Sequence, residues 1–145
     1  MIAVVQRVTH AEVVVAGVTI GRIAHGMLAL IGVERNDTRR NAVRLVERLL
    51  GYRIFPDDAQ RMNLSLRDVA GGLLLVPQFT LAADTRKGTR PDFSRAAEPA
   101  VARSLFLELV DHARAAHPMV ETGQFGAEMS VSLLNHGPVT FCLDA

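Results

Sequence analysis

The segment from Pro77 to Leu81 follows an apolar run and carries groups that could act on a polar ligand. Because proline cannot donate to a sheet ladder, a strand that reaches Pro77 must end there or lie at an edge. Gln78 and Thr80 then lie at the mouth of the core, beside backbone N–H groups that have left the ladder. Such amides can bind an oxyanion or the edge of a base. The alternative is an ordinary strand end whose Gln and Thr satisfy their own hydrogen bonds.

A second unusual segment, Asn135-His136-Gly137-Pro138-Val139-Thr140, separates two runs in which apolar and polar residues alternate. Asn, Gly and Pro all favour tight turns, so the simplest interpretation is a hairpin turn. The Gly137–Pro138 bond is also a position that tolerates a cis peptide, because the trans preference before proline is only about 0.5–1 kcal/mol. The residues alone leave both interpretations open.

The densest group of basic residues lies between Asp84 and Pro91, where Arg86, Lys87 and Arg90 occur beside a glycine. A loop of this kind can bind the phosphates of a nucleic acid. A solvated charged loop is the default alternative. The whole chain carries 16 Lys and Arg against 15 Asp and Glu, a formal net charge of +1, so any basic surface must be local.

Several common kinds of active site do not fit the residue types. The single cysteine, Cys142, excludes an intramolecular disulfide and zinc sites built from several thiolates, and we interpret it as a small core residue. The five histidines are scattered, and His112 and His117 do not share a helical face. The chain has no glycine-rich phosphate loop and no Gly-x-Ser-x-Gly motif. We therefore predict neither a metal nor a cofactor.

The elements that must position these segments begin with strands, as hydrophobic periodicity indicates. Beyond the opening residues Ile2, Val4 and Val8, the strand-like runs are Val13–Val15, Val18–Ile23, Met27–Val33, Leu73–Val76, Glu128–Leu134 and Val139–Asp144. The close spacing of the first runs, punctuated by glycines, is typical of an antiparallel meander. The run Leu73–Val76 is wholly apolar, which predicts burial on both faces.

Two amphipathic helices complete the pattern. The first is predicted from a cap at Asp37 or Thr38 to about Leu50, with Gly51 as its C-terminal cap. The second is predicted from about Pro99 to Ala116, and its core face contains Val101, Leu105, Phe106, Leu109, Val110 and Ala113. The order of elements predicts an α+β fold with a mostly antiparallel sheet or open β-barrel and two main helices, in a single domain over residues 1–145.

The composition agrees with an ordinary folded domain. The chain has 145 residues, of which 49% are hydrophobic and 21% charged, and this excludes disorder. Its longest uncharged runs are shorter than the roughly 20 residues that a membrane span needs. Together with the lone cysteine, these features predict a cytoplasmic protein that has no membrane partner.

The two polar segments resemble the signature motifs of the D-aminoacyl-tRNA deacylases, which usually read Ser-Gln-Phe-Thr-Leu and Asn-x-Gly-Pro-Val-Thr. The resemblance extends over the whole chain, and the second motif lies at the family's distance from the chain end. Other segments similar to the family are Met1–Val8, Leu50–Phe55, Met62–Leu64, Asp84–Pro91 and Gln124–Leu133.

The resemblance implies an activity and an assembly. Members of the family hydrolyse the ester that joins a D-amino acid to the terminal ribose of tRNA, and they also act on wrongly attached glycine. They are cytoplasmic homodimers without a required metal. In the family, the peptide that matches Gly137–Pro138 is cis, and one subunit contributes it to the active site of the other. Its rigid backbone rejects an L side chain by steric clash, and Arg7 is expected to hold its carbonyls.

The resemblance also suggests roles for the remaining site residues. The backbone N–H groups around Phe79 and Thr80, beside Gln78, are candidates for an oxyanion hole. Phe125 and Met129 are expected to line the pocket for the terminal adenosine. Catalysis in the family is assisted by the 2′-hydroxyl of the RNA, which agrees with a chain that has no paired histidines and no carboxylate dyad.

This sequence departs from the family at Pro77, where a serine is usual. The change removes a hydroxyl and an N–H, so no mechanism that needs a serine there can operate. Thr80 keeps its hydroxyl, and we expect it to support the site rather than to act as the nucleophile, because no base lies near it in the sequence. The competing functional class is a non-catalytic module that binds tRNA 3′ ends or nucleotides.

Overall fold

A computed structural model gives the structure of residues 1–145, with eight strands, two α-helices and one 3₁₀ turn. In chain order these are β1 (Ile2–Val15), β2 (Val18–Ile23), β3 (Gly26–Gly32), α1 (Arg39–Gly51), β4 (Phe55–Pro56), β5 (Met62–Leu64), β6 (Gly72–Pro77), the 3₁₀ turn (Phe79–Ala82), α2 (Pro99–Ala116), β7 (Val120–Thr122) and β8 (Ser130–Asp144). The predicted strands and helices are present, and the short strands β4, β5 and β7 were not predicted.

Six strands form one mixed sheet, with the order β2-β1-β3-β6-β7 and with β8 paired to β1. Strand β1 runs antiparallel to β2, β3 and β8, whereas β3–β6 and β6–β7 are parallel. The sheet curls until β2 approaches β7: a Cβ added to Gly21 would lie 2.7 Å from the carbonyl oxygen of Thr122. The predicted class, an α+β fold with a mostly antiparallel sheet or open β-barrel, is confirmed, and the barrel is nearly closed.

Strand β6 explains why four consecutive apolar residues occur in the sequence. Leu73 and Leu75 point into the larger core, a cluster of 26 buried residues to which both helices contribute. Leu74 and Val76 point into a smaller cluster of seven residues inside the barrel. Both faces of the strand are therefore buried, as predicted. Leu75 and Val76, just before Pro77, pack into the larger and the smaller cluster respectively.

The helices follow their predicted bounds closely, with two corrections. Helix α1 begins after the N-cap Thr38 and includes Gly51, and its chain leaves through an extended Tyr52, so the prediction that Gly51 is a C-terminal cap was wrong. Val101 in α2 is 48% exposed and was wrongly assigned to the core, where Ala102 is buried instead. Neither helix has the length and apolar composition that crossing a membrane requires.

The two C-terminal runs form a single strand, so the prediction of a hairpin turn between them was wrong. Both halves of β8 pair with β1, and the register jumps between Gln6↔Thr140 and Val8↔Asn135. One residue of β1, Arg7, therefore lies opposite residues 136–139 of β8, which form a bulge that we call the β8 bulge. Cys142 lies on the outward face of β8 and is exposed, so its assignment to the core was also wrong.

Candidate active site

A cavity of about 460 Å³ opens at the carboxyl end of β6. Its walls are the end of this strand, the start of the 3₁₀ turn, the start of α2 and the segment that precedes β8. Of the 13 residues that line it, 9 are hydrophobic, and Gln78 provides the one polar side chain. A largely apolar cavity of this kind suits a flat, weakly polar group such as a base.

The first motif supplies one wall of this cavity and is turned outward by Pro77. The N–H of Gln78 donates to the carbonyl oxygen of Ile31 at 2.7 Å, so this amide is not free. Phe79 and Thr80 then open the 3₁₀ turn, where helical geometry leaves the first N–H groups without intrahelical acceptors. The side-chain amide of Gln78 donates to the hydroxyl of Thr80. The Thr80 hydroxyl is thus paired with an amide, which cannot accept a proton from it.

Phe125 and Met129 form the opposite wall, so the structure brings together the predicted adenosine residues and the first motif. The sulfur of Met129 packs against the chain at Gly123, where an added Cβ would lie only 2.8 Å from it. The same sulfur accepts a hydrogen bond from the N–H of Gln124 at 3.3 Å. Phe125 is half-buried, and its ring lies 6.4 Å from that of Phe106 in the core. Both pocket residues are therefore held by fixed parts of the fold.

The second motif forms the β8 bulge, and its Gly137–Pro138 peptide is cis. Asn135 closes the bulge by accepting from the N–H of Val139 at 2.8 Å and donating to the Val139 carbonyl at 3.1 Å. The buried guanidinium of Arg7 donates to the carbonyl of His136 at 2.8 Å and to that of Ile54 at 2.6 Å. Arg7 therefore holds the bulge as expected, although it binds the residue before Gly137 rather than the Gly-Pro carbonyls.

Two exposed histidine rings meet at the bulge. The ring of His136 is 6.4 Å from that of His25, and His25 is 5.3 Å from the fully buried ring of Phe55, both in edge-on arrangements. Burial lowers the pKa of His25, and the positive charges of His136 and Arg7 lower it further. No local pattern indicates this contact, because His25 lies in the turn between β2 and β3, whereas His136 lies in the β8 bulge.

The two motifs do not meet within one chain. The bulge lies opposite Arg7, which is level with Met27 of β3 and Leu73 of β6 in the ladder. The first motif begins at Pro77, four residues further along β6, a distance of about 13 Å at the usual rise of a strand. No residue of the bulge lines the cavity. Within one chain, the bulge and the cavity are therefore separate features.

The basic loop follows the 3₁₀ turn and is closed by backbone hydrogen bonds between Asp84 and Asp92. The guanidinium of Arg86 is bound by the carboxylate of Asp84, with Nε at 2.9 and 3.0 Å from its two oxygens. This pairing holds the pKa of Asp84 well below its usual value. Lys87 and Arg90 are exposed and make no ion pair. Of the three predicted phosphate ligands, Arg86 is thus engaged by a carboxylate, while the other two remain free.

No group of three or more His, Cys, Asp or Glu side chains has a geometry that could hold a metal ion.

The cavity walls also include residues that sequence reasoning missed, namely Ala96, Ala97 and Ala102 beside Pro99 at the start of α2. These small residues carry no chemical signal, and only the packing of α2 against the end of β6 reveals them.

Comparison with known proteins decides the family. The family model for D-Tyr-tRNA(Tyr) deacylase matches residues 4–144. The chain belongs to this family. The D-aminoacyl-tRNA deacylase of Thioalkalivibrio sulfidiphilus is 62% identical to it over 144 residues. This match covers 99% of the chain and 97% of the relative. The chain is 59% identical to the D-aminoacyl-tRNA deacylase of Teredinibacter turnerae over the full length of both proteins. The family predicted from the two motifs is confirmed, and its curated members are hydrolases by name.

Solved structures share the fold of this chain. The structure named "c-Myc DNA Unwinding Element Binding Protein" is 35% identical and superimposes with a TM-score of 0.95. The match covers 100% of this chain and 99% of the chain in that structure. A probable eukaryotic D-amino acid tRNA deacylase is 19% identical with a TM-score of 0.86, over 99% of the chain and 98% of its own. This second likeness supports the fold alone.

Proposed function

We propose that this deacylase-family chain hydrolyses D-aminoacyl-tRNA and spares the L form. The observation that carries the proposal is the full-length match to curated D-aminoacyl-tRNA deacylases, with both motifs in place. In the reaction, water adds to the ester carbonyl and the bond to the ribose oxygen breaks. A free amino acid and an intact tRNA leave.

The arrangement of the cavity supports catalysis by backbone amides and by the substrate itself. The N–H groups of Phe79 and Thr80 are the candidates to stabilise the oxyanion, with Gln78 fixing the Thr80 side chain. No lining residue carries a carboxylate, an imidazole or a thiol. We therefore assign the activation of water to the 2′-hydroxyl of the terminal ribose, with Phe125 and Met129 holding the adenosine next to it.

The active unit that we propose is a homodimer in which each cavity receives the β8 bulge of the other chain. The ladder distance between the two motifs supports this, since one chain cannot bring them together. Strand β8 also has a free edge, and its residue Leu134 is 55% exposed. A long exposed edge with apolar side chains is a surface that another chain can cover.

In this dimer the backbone of Gly137 and Pro138 would select the substrate by exclusion. A fixed backbone beside the α-carbon leaves no room for an L side chain and does not contact a D side chain. Specificity among D-amino acids is therefore expected to be broad, and glycine, which has no side chain to reject, is expected to be a substrate as well. Lys87 and Arg90 are candidates to bind RNA phosphates, and with a tRNA substrate we expect the protein to act in the cytoplasm.

The test of the proposal is release of the amino acid from D-tyrosyl-tRNA, L-tyrosyl-tRNA and glycyl-tRNA under multiple turnover. We expect many turnovers on the D and glycyl esters and almost none on the L ester. A module that only binds tRNA 3′ ends would protect the esters without turnover. Equal hydrolysis of the D and L esters at matched enzyme concentration would contradict the proposed selectivity.

A second measurement addresses the chemical step. D-tyrosyl-tRNA whose terminal ribose lacks the 2′-hydroxyl should bind normally and be hydrolysed at least about 100-fold more slowly, the order expected for loss of a positioned proton-transfer group. Unchanged turnover of the 2′-deoxy substrate would show that the water is activated by another group.

A further inference from the structure

Two phenylalanine rings form an exposed aromatic surface at the rim of the cavity. Of the six phenylalanines in the chain, only Phe79 and Phe93 are exposed, by 59% and 38%. Their ring centroids lie 5.1 Å apart with an interplanar angle of 44°, so each ring covers only part of the other. An exposed apolar patch that adjoins a cavity is typical of a surface that binds a ligand.

The backbone fixes the position of Phe93 relative to the cavity. Asp92, the residue before it, exchanges two backbone hydrogen bonds with Asp84, at 2.7 and 3.1 Å. The carbonyl of Phe93 accepts from the N–H of Ala96 at 3.0 Å, and Ala96 lines the cavity. Phe79 also lines the cavity, whereas Phe93 does not. The pair therefore continues the cavity wall outward, with Phe93 as its outer member.

The loop that leads to Phe93 carries positive charge without a partner. Lys87 and Arg90 are exposed and make no ion pair. The two carboxylates of the loop already have donors, which are Arg86 for Asp84 and Ser94 for Asp92. Free cations beside exposed aromatic rings suit a single-stranded nucleic acid, because its phosphates bind the cations and its bases stack on the rings.

We propose that the Phe79–Phe93 pair binds the base that precedes the terminal adenosine of the tRNA, and that this base stacks on the exposed ring of Phe93. The inference rests on the proposed function, which assigns the terminal adenosine to the cavity between Phe125 and Met129. The preceding nucleotide of the strand must then leave the cavity across its rim, where Phe79 and Phe93 are the exposed aromatic rings. Its phosphate is a ligand for the two free cations of the loop.

Stacking on this pair has a defined effect on the reaction. Every base has a π-face, so the contact raises the affinity for the 3′ end of any tRNA and does not distinguish the attached amino acid. The base lies one nucleotide away from the ester and contributes equally to the ground state and to the transition state. Loss of the stack should therefore raise KM and leave kcat unchanged.

The test compares three non-hydrolysable probes in which an amide replaces the ester to D-tyrosine. The first is adenosine alone, the second is the dinucleotide cytidylyl-adenosine, and the third is the same dinucleotide without the cytosine base. Calorimetry gives the Kd of each probe for the wild type, Phe93→Leu and the control Met119→Leu. Met119 is 47% exposed and lies next to Leu73, at the end of β6 opposite the cavity.

Phe93→Leu keeps an apolar side chain but removes the ring. In the wild type, the complete dinucleotide should bind at least about fivefold more tightly than the dinucleotide without the base, the low end of what one base–aromatic stack contributes. In Phe93→Leu this ratio should fall close to one, while the adenosine probe binds as it does to the wild type. Met119→Leu should keep the wild-type ratio.

Two binding results would overturn the inference. The first is equal affinity of the wild type for the two dinucleotides, which is the result expected if a second chain covers the Phe79–Phe93 pair. The second is an unchanged ratio in Phe93→Leu, which would place the base elsewhere on the protein.

Turnover separates this inference from the proposed function. On D-tyrosyl-tRNA, Phe93→Leu should raise KM at least about fivefold at unchanged kcat. A fall in kcat at unchanged KM would show that Phe93 supports the catalytic backbone instead, and would refute the stacking site. A protein with the expected binding ratios that hydrolyses no D-aminoacyl-tRNA would refute the proposed function and leave the stacking site intact.

Discussion

At the scale of single residues, the side chains of the candidate site include no group that can act as a base. The Thr80 hydroxyl accepts from the Gln78 amide, and an amide does not act as a base. The replacement of the usual serine by Pro77 removes another hydroxyl from the same wall. A protein nucleophile has no partner to activate it here, in keeping with the proposed reliance on backbone donors and on the RNA.

Thr80→Ala should therefore retain most of its turnover, within about fivefold of the wild type, because only one neutral hydrogen bond is lost. The measurement is kcat/KM on D-tyrosyl-tRNA, with Thr19→Ala as the matched control, since Thr19 is an exposed threonine of β2 outside both motifs whose hydroxyl bonds one side chain. A loss of several orders of magnitude with normal folding, or an acyl group trapped on residue 80, would establish Thr80 as the nucleophile.

Arg7→Lys separates the charge of Arg7 from its shape. A lysine keeps the positive charge but cannot reach two carbonyls with a planar fork, so one of the acceptors at His136 and Ile54 is left unpaired. We expect the free energy of unfolding to fall by about 1.5–3 kcal/mol and the preference for D over L esters to shrink. Arg22→Lys, an exposed arginine paired with Glu12, should change neither quantity. Undiminished selectivity in Arg7→Lys would argue against the clamp.

At the scale of elements, the position of the site depends on how closely β3 and β6 approach each other. Gly26 lies opposite Gly72 in the parallel ladder, and a Cβ on Gly26 would lie 2.6 Å from the nitrogen of Gly72. This approach sets the spacing between β3 and β6 at the start of β6. Gly51, by contrast, has no atom within 4 Å of an added Cβ.

Gly26→Ala should lower the free energy of unfolding by about 3 kcal/mol, since backbone rather than a flexible side chain must move. Gly51→Ala, in helix α1, should raise it by about 0.5 kcal/mol, because alanine favours the helix more than glycine does. Denaturant unfolding of both variants measures the difference. Similar free energies of unfolding for the two variants would show that β3 and β6 can move apart without loss of stability.

The basic loop gives a second prediction at this scale. Lys87→Glu together with Arg90→Glu should weaken tRNA binding and reduce the slope of log affinity against log salt by about 2, one unit for each lost phosphate contact. Arg67→Glu is the control, because Arg67 is exposed near the opposite end of β6. An unchanged salt slope in the double variant would place the phosphate contacts elsewhere on the protein.

At the scale of the whole molecule, the main feature is the separation of the two motifs that we propose to act together. The ladder fixes the bulge and the cavity at different levels of the barrel, so folding of one chain cannot join them. Gly137→Ala alone does not test this arrangement. Its Cβ would lie 2.5 Å from the Val139 side chain of the same chain, at a φ of +152°, and would disturb the bulge itself.

Complementation between two variants is a sharper test. Gly137→Ala damages the bulge, and Met129→Arg fills the cavity, so each homodimer should be nearly inactive. After unfolding and joint refolding at equal concentration, half of the dimers should be mixed, and each mixed dimer should contain one intact site. The mixture should recover about a quarter of the wild-type activity. No recovery, or a monomer with full activity, would refute the shared site.

Much of this protein was determined by local sequence patterns. The stripe Ala42, Leu45, Val46, Leu49 and Leu50 defines helix α1, and Leu73–Val76 defines a strand buried on both sides, because periodicity reflects which faces avoid water. Pro77 ends that strand because it has no N–H to donate. The family could be inferred from two short motifs, since their residue types and spacing are specific.

Only the tertiary structure decided how these parts are arranged. Asn, Gly and Pro predict a turn, but pairing with β1 on both sides makes residues 136–139 a bulge within one strand, since the long-range ladder outweighs the local preference. Val101 and Cys142 are exposed because the core faces of α2 and β8 depend on which partners they meet. The contact of His25 with His136 joins residues 111 positions apart in the sequence, and no local pattern can encode it.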